Sequence, residues 1–271
     1  MTDQLDLSLT GDVARLPRSL RPMMPRPAVA AFDSDEHVFE PRWGGRRALA
    51  FIEPDGCRGP RLRLLDDLGR DLAPLLPELA GLPDLVNDKP LILDGEIVIP
   101  DKVGRMDEEA LVNRLAGTVP VAAAELPAGS GVPGSSPRGM GVAAASSGHA
   151  STPIFLVFDL LWAAGRPMIA QPLTKRRERL AKIVRPSPEL VVLPGVVGEG
   201  LDLYFAVAQQ GLRGVMARHL RSPYLPGRKS ALWRSIATQP GEIALHVLPE
   251  PIEAPASRPV LALIQRLPFD D

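Results

Sequence analysis

The sequence predicts an α+β fold built mostly from antiparallel sheets. Three observations carry this expectation. Strand-like apolar runs outnumber amphipathic helical stretches. The two kinds do not alternate along the chain, as a doubly wound parallel sheet requires. Two runs, 91–99 (LILDGEIVI) and 153–162 (PIFLVFDLLW), have the length and composition of buried strands.

The elements follow in order. Residues 1–20 are polar and expected to be loosely held. Arg21-Pro22-Met23-Met24-Pro25 reads as extended, because a residue before proline avoids the helical region. Segments 47–53 and 61–65 read as a hairpin with Pro54-Asp55-Gly56 as its turn. Segment 71–82 has apolar residues at helical spacing and predicts a short helix. Segment 107–116 predicts a helix with acids in its first turn, where they complement the dipole. Residues 121–152 are mostly Ala, Gly, Ser and Pro and read as a loop inside the domain. Segment 173–184 is an amphipathic helix, 190–197 a strand, 201–210 a helix ending at Gly211, and 214–220 a strand. A basic loop then leads to Trp233, and 242–248 reads as the last good strand. The Pro- and Ala-rich tail, 249–271, offers one further strand at 260–264. The expected organisation is one domain over 21–248.

Composition narrows the function classes. The formal net charge is −1, which gives no global field to draw the protein onto nucleic acid. The single cysteine, Cys57, excludes an internal disulfide and fits a reducing cytoplasm. Cys57 with His37, His149, His219 and His246 shows no metal-ligand spacing. Residues 1–10 contain acids and no apolar run, unlike a signal peptide, and no run reaches the roughly 20 apolar residues that span a bilayer. The expectation is a cytoplasmic protein that does not enter membranes.

Four segments in order carry chemistry. They are Phe39-Glu40-Pro41-Arg42-Trp43-Gly44-Gly45-Arg46, then Leu93-Asp94-Gly95-Glu96, then Val157-Phe158-Asp159-Leu160-Leu161 with Gln171-Pro172-Leu173 and Arg176-Arg177. The fourth runs from Gly211-Leu212-Arg213-Gly214 through Arg218, Ser222-Pro223-Tyr224 and Gly227-Arg228 to Trp233. Together they resemble the adenylation domain of ATP-dependent DNA ligases, a nucleotidyltransferase fold, over residues 21–237. The corresponding family patterns are E-x-K-x-D-G-x-R, D-G-E, F-D-L-L and G-x-E-G-[LV]-x-A-K…S-P-Y…G…W-x-K-x-K. Arg21-Pro22-Met23-Met24 also resembles the segment that edges the family's adenine site.

The resemblance implies a lysine that attacks the α-phosphate of ATP, helped by cations and a divalent metal. Here Arg42 holds the nucleophile position, and a guanidinium stays protonated and delocalised. Gly44 stands for an aspartate, Arg213 for a glutamate, Arg218 for a lysine, and Ser235 and Ala237 for two lysines. Asp66-Asp67-Leu68-Gly69 stands where an S-R-N-G-like turn is expected. No catalytic residue is intact on this reading. The resemblance leaves Met23, Arg46, Glu96, Phe158, Ser222 and Tyr224 as retained pocket positions. Phe158 is either an adenine-stacking ring or a core aromatic, and Arg46 either a phosphate contact or a surface charge. Glu96 is the one carboxylate left for a metal, while Arg213 repels one, which puts Mg²⁺ in doubt. Arg42, Arg46, Arg213 and Arg218 would line the pocket as a cationic cluster for phosphate oxygens.

The expected function is that of a ligase-family pseudoenzyme: ATP held without a covalent bond, and weak contact with nucleotide or DNA. The alternative is an active ligase using another lysine. The 38 residues after Trp233 are too few for the OB-fold domain that follows in the family, so the adenylation module alone is expected.

Overall fold

Alternating apolar residues in short runs, each closed by Gly or Pro, set up two sheets rather than one. The computed structural model describes residues 16–54, 56, 61–101, 104–117 and 152–238. The expected loop up to residue 151, the strands at 242–248 and 260–264, the tail, and most of the 1–20 segment lie outside them, as do Asp55, Cys57, His149 and His246.

The strands are β1 Met24–Pro27, β2 Ser34–Arg42, β3 Arg46–Ile52, β4 Leu62–Leu65, β5 Leu91–Val98 and β6 Ile154–Ala163. They continue as β7 Arg166–Pro167, β8 Leu190–Val192, β9 Val196–Gly198, β10 Gly214–His219 and β11 Lys229–Ala237. The helices are α1 Glu108–Leu115, α2 Leu173–Ile183 and α3 Gly200–Gln209. One sheet has the order β1-β11-β10-β2-β9, and the other β4-β3-β5-β6-β7 with β8 beside β6. Among the described residues only β1 with β11 and β6 with β8 run parallel. The α+β, mostly antiparallel expectation holds.

The layers follow from alternation along the strands. One face of the second sheet, with Ala48, Ala50, Leu91, Leu93, Phe155 and Val157, packs into a core with Leu180 of α2 and Leu111 of α1. Its other face, with Leu49, Phe51, Ile92, Leu156 and Phe158, joins a core that includes Met23, Tyr224 and Trp233 from the first sheet and its loops. The helix α3 lies across β2 and β10. There a Cβ on Gly200 would come 2.4 Å from Phe39 Cε1, so Phe39 faces α3. Its neighbour Glu40 therefore faces away from α3, toward the second sheet.

Most predicted elements form, including the hairpin, the D-G-E strand and the helices near 107–116, 173–184 and 201–210. Asp107 caps α1, accepting a hydrogen bond from the Ala110 amide at 2.8 Å. Three differences have plain causes. Segment 71–82 is not α-helical: two 3₁₀ segments, Ala73–Leu75 and Pro77–Leu85, occupy it. Pro74, Pro77 and Pro83 remove the amide donors that an α-helix needs. Segment 190–197 is not one strand, because Pro194-Gly195 breaks it into β8 and β9, which join different sheets. The stretch around Trp233, read as loop, is the strand β11, and β2 was not foreseen as a strand. Charged residues hide the alternation: Glu40 in β2 is buried, while Lys229 and Arg234 of β11 are exposed.

Candidate functional site

The register of the first sheet decides which of the predicted residues meet. Across β2, β10 and β11, Arg218 stands between Val38 and Trp233, Met216 between Glu40 and Ser235, and Gly214 between Arg42 and Ala237. Residues paired across strands share a face. Glu40, Arg42, Arg218, Trp233, Ser235 and Ala237 thus lie on the face turned toward the second sheet.

Facing them are β3 and β5. Arg47 of β3 grips Asp94 of β5 with both oxygens, Nε to Oδ1 and Nη2 to Oδ2, each at 2.5 Å. The Tyr224 hydroxyl donates to Asp94 Oδ2 at 2.7 Å and accepts from the Met23 amide at 2.9 Å. Burial and the Asp94 charge push the Tyr224 hydroxyl well above its ordinary value, so it stays a donor. Burial alone would lower Arg47, but the charge and hydrogen bonds of Asp94 outweigh it and raise the guanidinium. Met23, Asp94 and Tyr224 are all buried. They form a satisfied network that ties the Pro-Met segment, the D-G-E strand and the S-P-Y loop together.

Phe158 does lie in this space, 3% exposed. Its ring is covered by the chain's own cations: the Arg218 guanidinium carbon is 3.9 Å from the ring centre and that of Arg47 is 4.7 Å. Trp233 meets Phe158 edge-on at 6.3 Å. Arg218 and Arg177 both pair with the fully buried Glu40, Arg177 from α2 on the opposite sheet. Burial lowers Arg218 to about 9 and Arg177 to about 10, which leaves both protonated at neutral pH. The Arg218 Nε has no hydrogen-bond partner among the described residues.

The other predicted positions do not join this cluster. Arg46 is held by Asp66 and Asp67 at 2.8 and 2.7 Å. Counted from Glu40, the arginine of the E-x-K-x-D-G-x-R spacing falls on Arg47, the residue that reaches Phe158. That count was the signal available in the sequence for a site residue it left unnamed. Arg213 leaves the sheet face altogether, lying over Gly44 and pairing with Glu108 of α1. The four-arginine phosphate cluster is therefore not assembled, because three of its members are bound by carboxylates from three different elements. Glu96 is raised by burial, against the amides of Gly45 and Gly44 and the charges of Arg47 and Arg42. Its carboxylate caps the Gly44-Gly45 turn.

Among the described residues no group of three His, Cys, Asp or Glu could hold a metal ion. Glu96 is engaged by backbone amides, and Arg42 stands at the end of β2 with its backbone carbonyl bonded to the Arg213 amide at 3.2 Å. Of the described lysines, Lys89 precedes Pro90 just before β5, Lys175 is on α2 and paired with Glu178, Lys182 is also on α2, and Lys229 is exposed at the start of β11. Another buried pair, Arg176 with Asp159 at 2.7 and 2.8 Å, anchors α2 on β6 and reaches the Ser222 carbonyl. The Ser222 hydroxyl accepts from the Trp233 indole at 3.3 Å. These are structural fastenings.

Comparison with known proteins agrees with the fold. Residues 22–236 match the family model described as ATP dependent DNA ligase domain. The multifunctional non-homologous end joining DNA repair protein LigD of Mycobacterium tuberculosis is 27% identical over 205 residues, covering 76% of this chain and 22% of that protein. DNA ligase C1 of Mycolicibacterium smegmatis is 30% identical over 227 residues, covering 78% and 54%. This chain thus spans about a fifth to a half of the length of these relatives. A solved mycobacterial DNA ligase D, complexed with ATP and MES, superposes with a TM-score of 0.60 at 24% identity, covering 82% of this chain and 62% of that one. The ligase domain of M. tuberculosis LigD gives 0.58 at 23%, covering 80% and 60%.

Proposed function

The chain belongs to the ATP-dependent DNA ligase domain family, and from that premise we propose that it is a member which takes no AMP onto a lysine. It serves in the cytoplasm as a binding module for nucleic acid in DNA repair, with at most weak, non-covalent contact to ATP. The observation that carries this reading is the Arg177–Glu40–Arg218 cluster packed against Phe158. A base entering between the sheets would have to displace Arg218 and leave Glu40 with half its compensation. Breaking a buried pair in this way costs about 3–5 kcal/mol. That penalty is subtracted from whatever ATP contacts form, which weakens binding.

Arg42 supports the same conclusion from chemistry. A guanidinium at the nucleophile position has no free lone pair at neutral pH, so it cannot form the bond to phosphorus. The test uses the full chain incubated with ATP and Mg²⁺ or Mn²⁺, followed by intact-protein mass. The expected result is the unmodified mass. An AMP adduct mapping to any lysine overturns the proposal.

A further inference from the structure

The outer face of the first sheet, opposite the side that carries Glu40 and Arg218, is only partly covered. His37 pairs with His219, and Phe39 with Ala217, which pairs with Arg234. Alternation along the strands therefore puts His37, His219, Leu232 and Arg234 on the face that Phe39 turns toward α3. The helix α3 lies across β9, β2 and β10, and β11 runs one strand beyond β10. Phe32, just before β2, meets His37 and Phe39 edge-on, both at 5.4 Å. The result is a cleft of about 410 Å³ lined by Phe32, His37, His219, Ala231, Leu232 and Arg234. That volume is ordinary for a small-molecule site, which is mostly apolar with a few converging polar groups.

The polar groups lining this cleft are donors. Ser34 Oγ accepts from the Glu36 amide at 3.2 Å and lies 2.9 Å from His37 Nδ1, to which its hydroxyl donates. Burial, with His219 and Arg234 nearby, lowers His37 below its ordinary value against the opposing charge of Glu36. The neutral ring then carries its own proton on Nε2. The Arg221 amide donates to His219 Nδ1 at 3.1 Å, which leaves Nε2–H as the donor of that ring too. The Glu36 carboxylate is largely exposed and stays 3.8 Å from His219 Nε2, beyond hydrogen-bond reach. Arg234 is exposed and has no carboxylate partner among the described residues. One fixed positive charge and two imidazole donors thus meet over apolar walls. Acceptor-only oxygens on a monoanion match that set. A phosphate dianion brings about twice the charge that Arg234 can offset.

We infer that this cleft binds a small organic carboxylate with an apolar, ring-sized body. The body lies against Phe32 and Leu232, and the carboxylate is held by Arg234 and the two imidazoles. The cleft and the inter-sheet arginine cluster are on opposite faces of the sheet, so the inference does not rest on the function proposed above.

The experiment is an NMR titration of the full chain with phenylacetate at neutral pH. It follows the imidazole Cε1–H resonances of His37 and His219, assigned with His37→Gln and His219→Gln. Both should move with a Kd of about 1 mM, as a probe of this size allows. Benzyl alcohol, which lacks the charge, and acetate, which lacks the ring, should each bind at least about tenfold more weakly. Arg234→Gln should weaken phenylacetate about tenfold with an unchanged unfolding midpoint, because that side chain is exposed. Arg26→Gln is a control: Arg26 is beside Arg234 in the β1–β11 ladder but does not line the cleft. It should change the affinity by less than about twofold. Four outcomes overturn the inference: no movement of either resonance at about 20 mM phenylacetate, benzyl alcohol bound as tightly, an equal loss in Arg26→Gln, or phenyl phosphate bound more tightly than phenylacetate.

Discussion

Arg213 lies directly over Gly44: a Cβ added at Gly44 would come within 2.7 Å of Arg213 Cδ and 2.8 Å of its Nε. The two positions that resemble a family aspartate and glutamate are thus occupied by a complementary pair. Gly44 also has φ of +82°, a region that L side chains seldom adopt. Arg213 and Gly44 form one packing unit, with Glu108 of α1 as the distal anchor of the arginine.

Gly44→Asp should therefore destabilise the protein by about 1–3 kcal/mol, from backbone strain and overpacking together. Combining it with Arg213→Ala should recover the overpacking part only. A double-mutant cycle by urea unfolding measures the coupling. Additive effects would show that Arg213 does not restrict position 44.

Arg42→Lys alone should not produce an adenylated protein, because Arg47 and Arg218 still cover Phe158 and Arg213 still lies outside the sheet face. Groups that act as a unit return little when one is restored. Intact-protein mass after incubation with ATP and metal checks this. Strong labelling of the single variant would mean that the arginine cluster moves aside readily.

The buried network makes unequal predictions for its members. Tyr224→Phe removes one donor from Asp94 and the acceptor for the Met23 amide, and should cost about 1–3 kcal/mol. Asp94→Asn leaves the Arg47 guanidinium without its counter-charge and should cost more, about 3–5 kcal/mol. Chemical denaturation of both variants gives the order, which a merely peripheral network would not show.

Asp66 supplies a pH signature. Burial raises its carboxyl, but the hydrogen bonds from Arg46, Arg70 and the Leu68 amide outweigh this and hold it at about 2, below the ordinary 3.8. A depressed acid stabilises the fold above its unfolded value and loses that contribution as pH falls through its folded value. The contribution, about 2 kcal/mol, should be complete at neutral pH and fade between about pH 4 and pH 2. The stability gap between the wild-type protein and Asp66→Asn should narrow over that window. A gap that stays constant with pH would show that Asp66 is not held ionised by these partners.

By itself the sequence determined the fold class, the order of most strands and helices, and the family. These are local properties: hydrophobic period, turn residues and spacing survive in a one-dimensional reading. The sequence also marked Phe158, Met23 and Tyr224, which the structure brings together. What each arginine binds was decided only by the tertiary structure. Arg177 meets Glu40 across 137 positions, Arg213 reaches Glu108 from another element, and Arg46 is claimed by the turn at Asp66-Asp67. A guanidinium takes whichever carboxylate lies within reach when the sheets pack, and that distance is set by register and layer order. The cationic cluster read from the linear motif was for that reason dispersed into separate ion pairs.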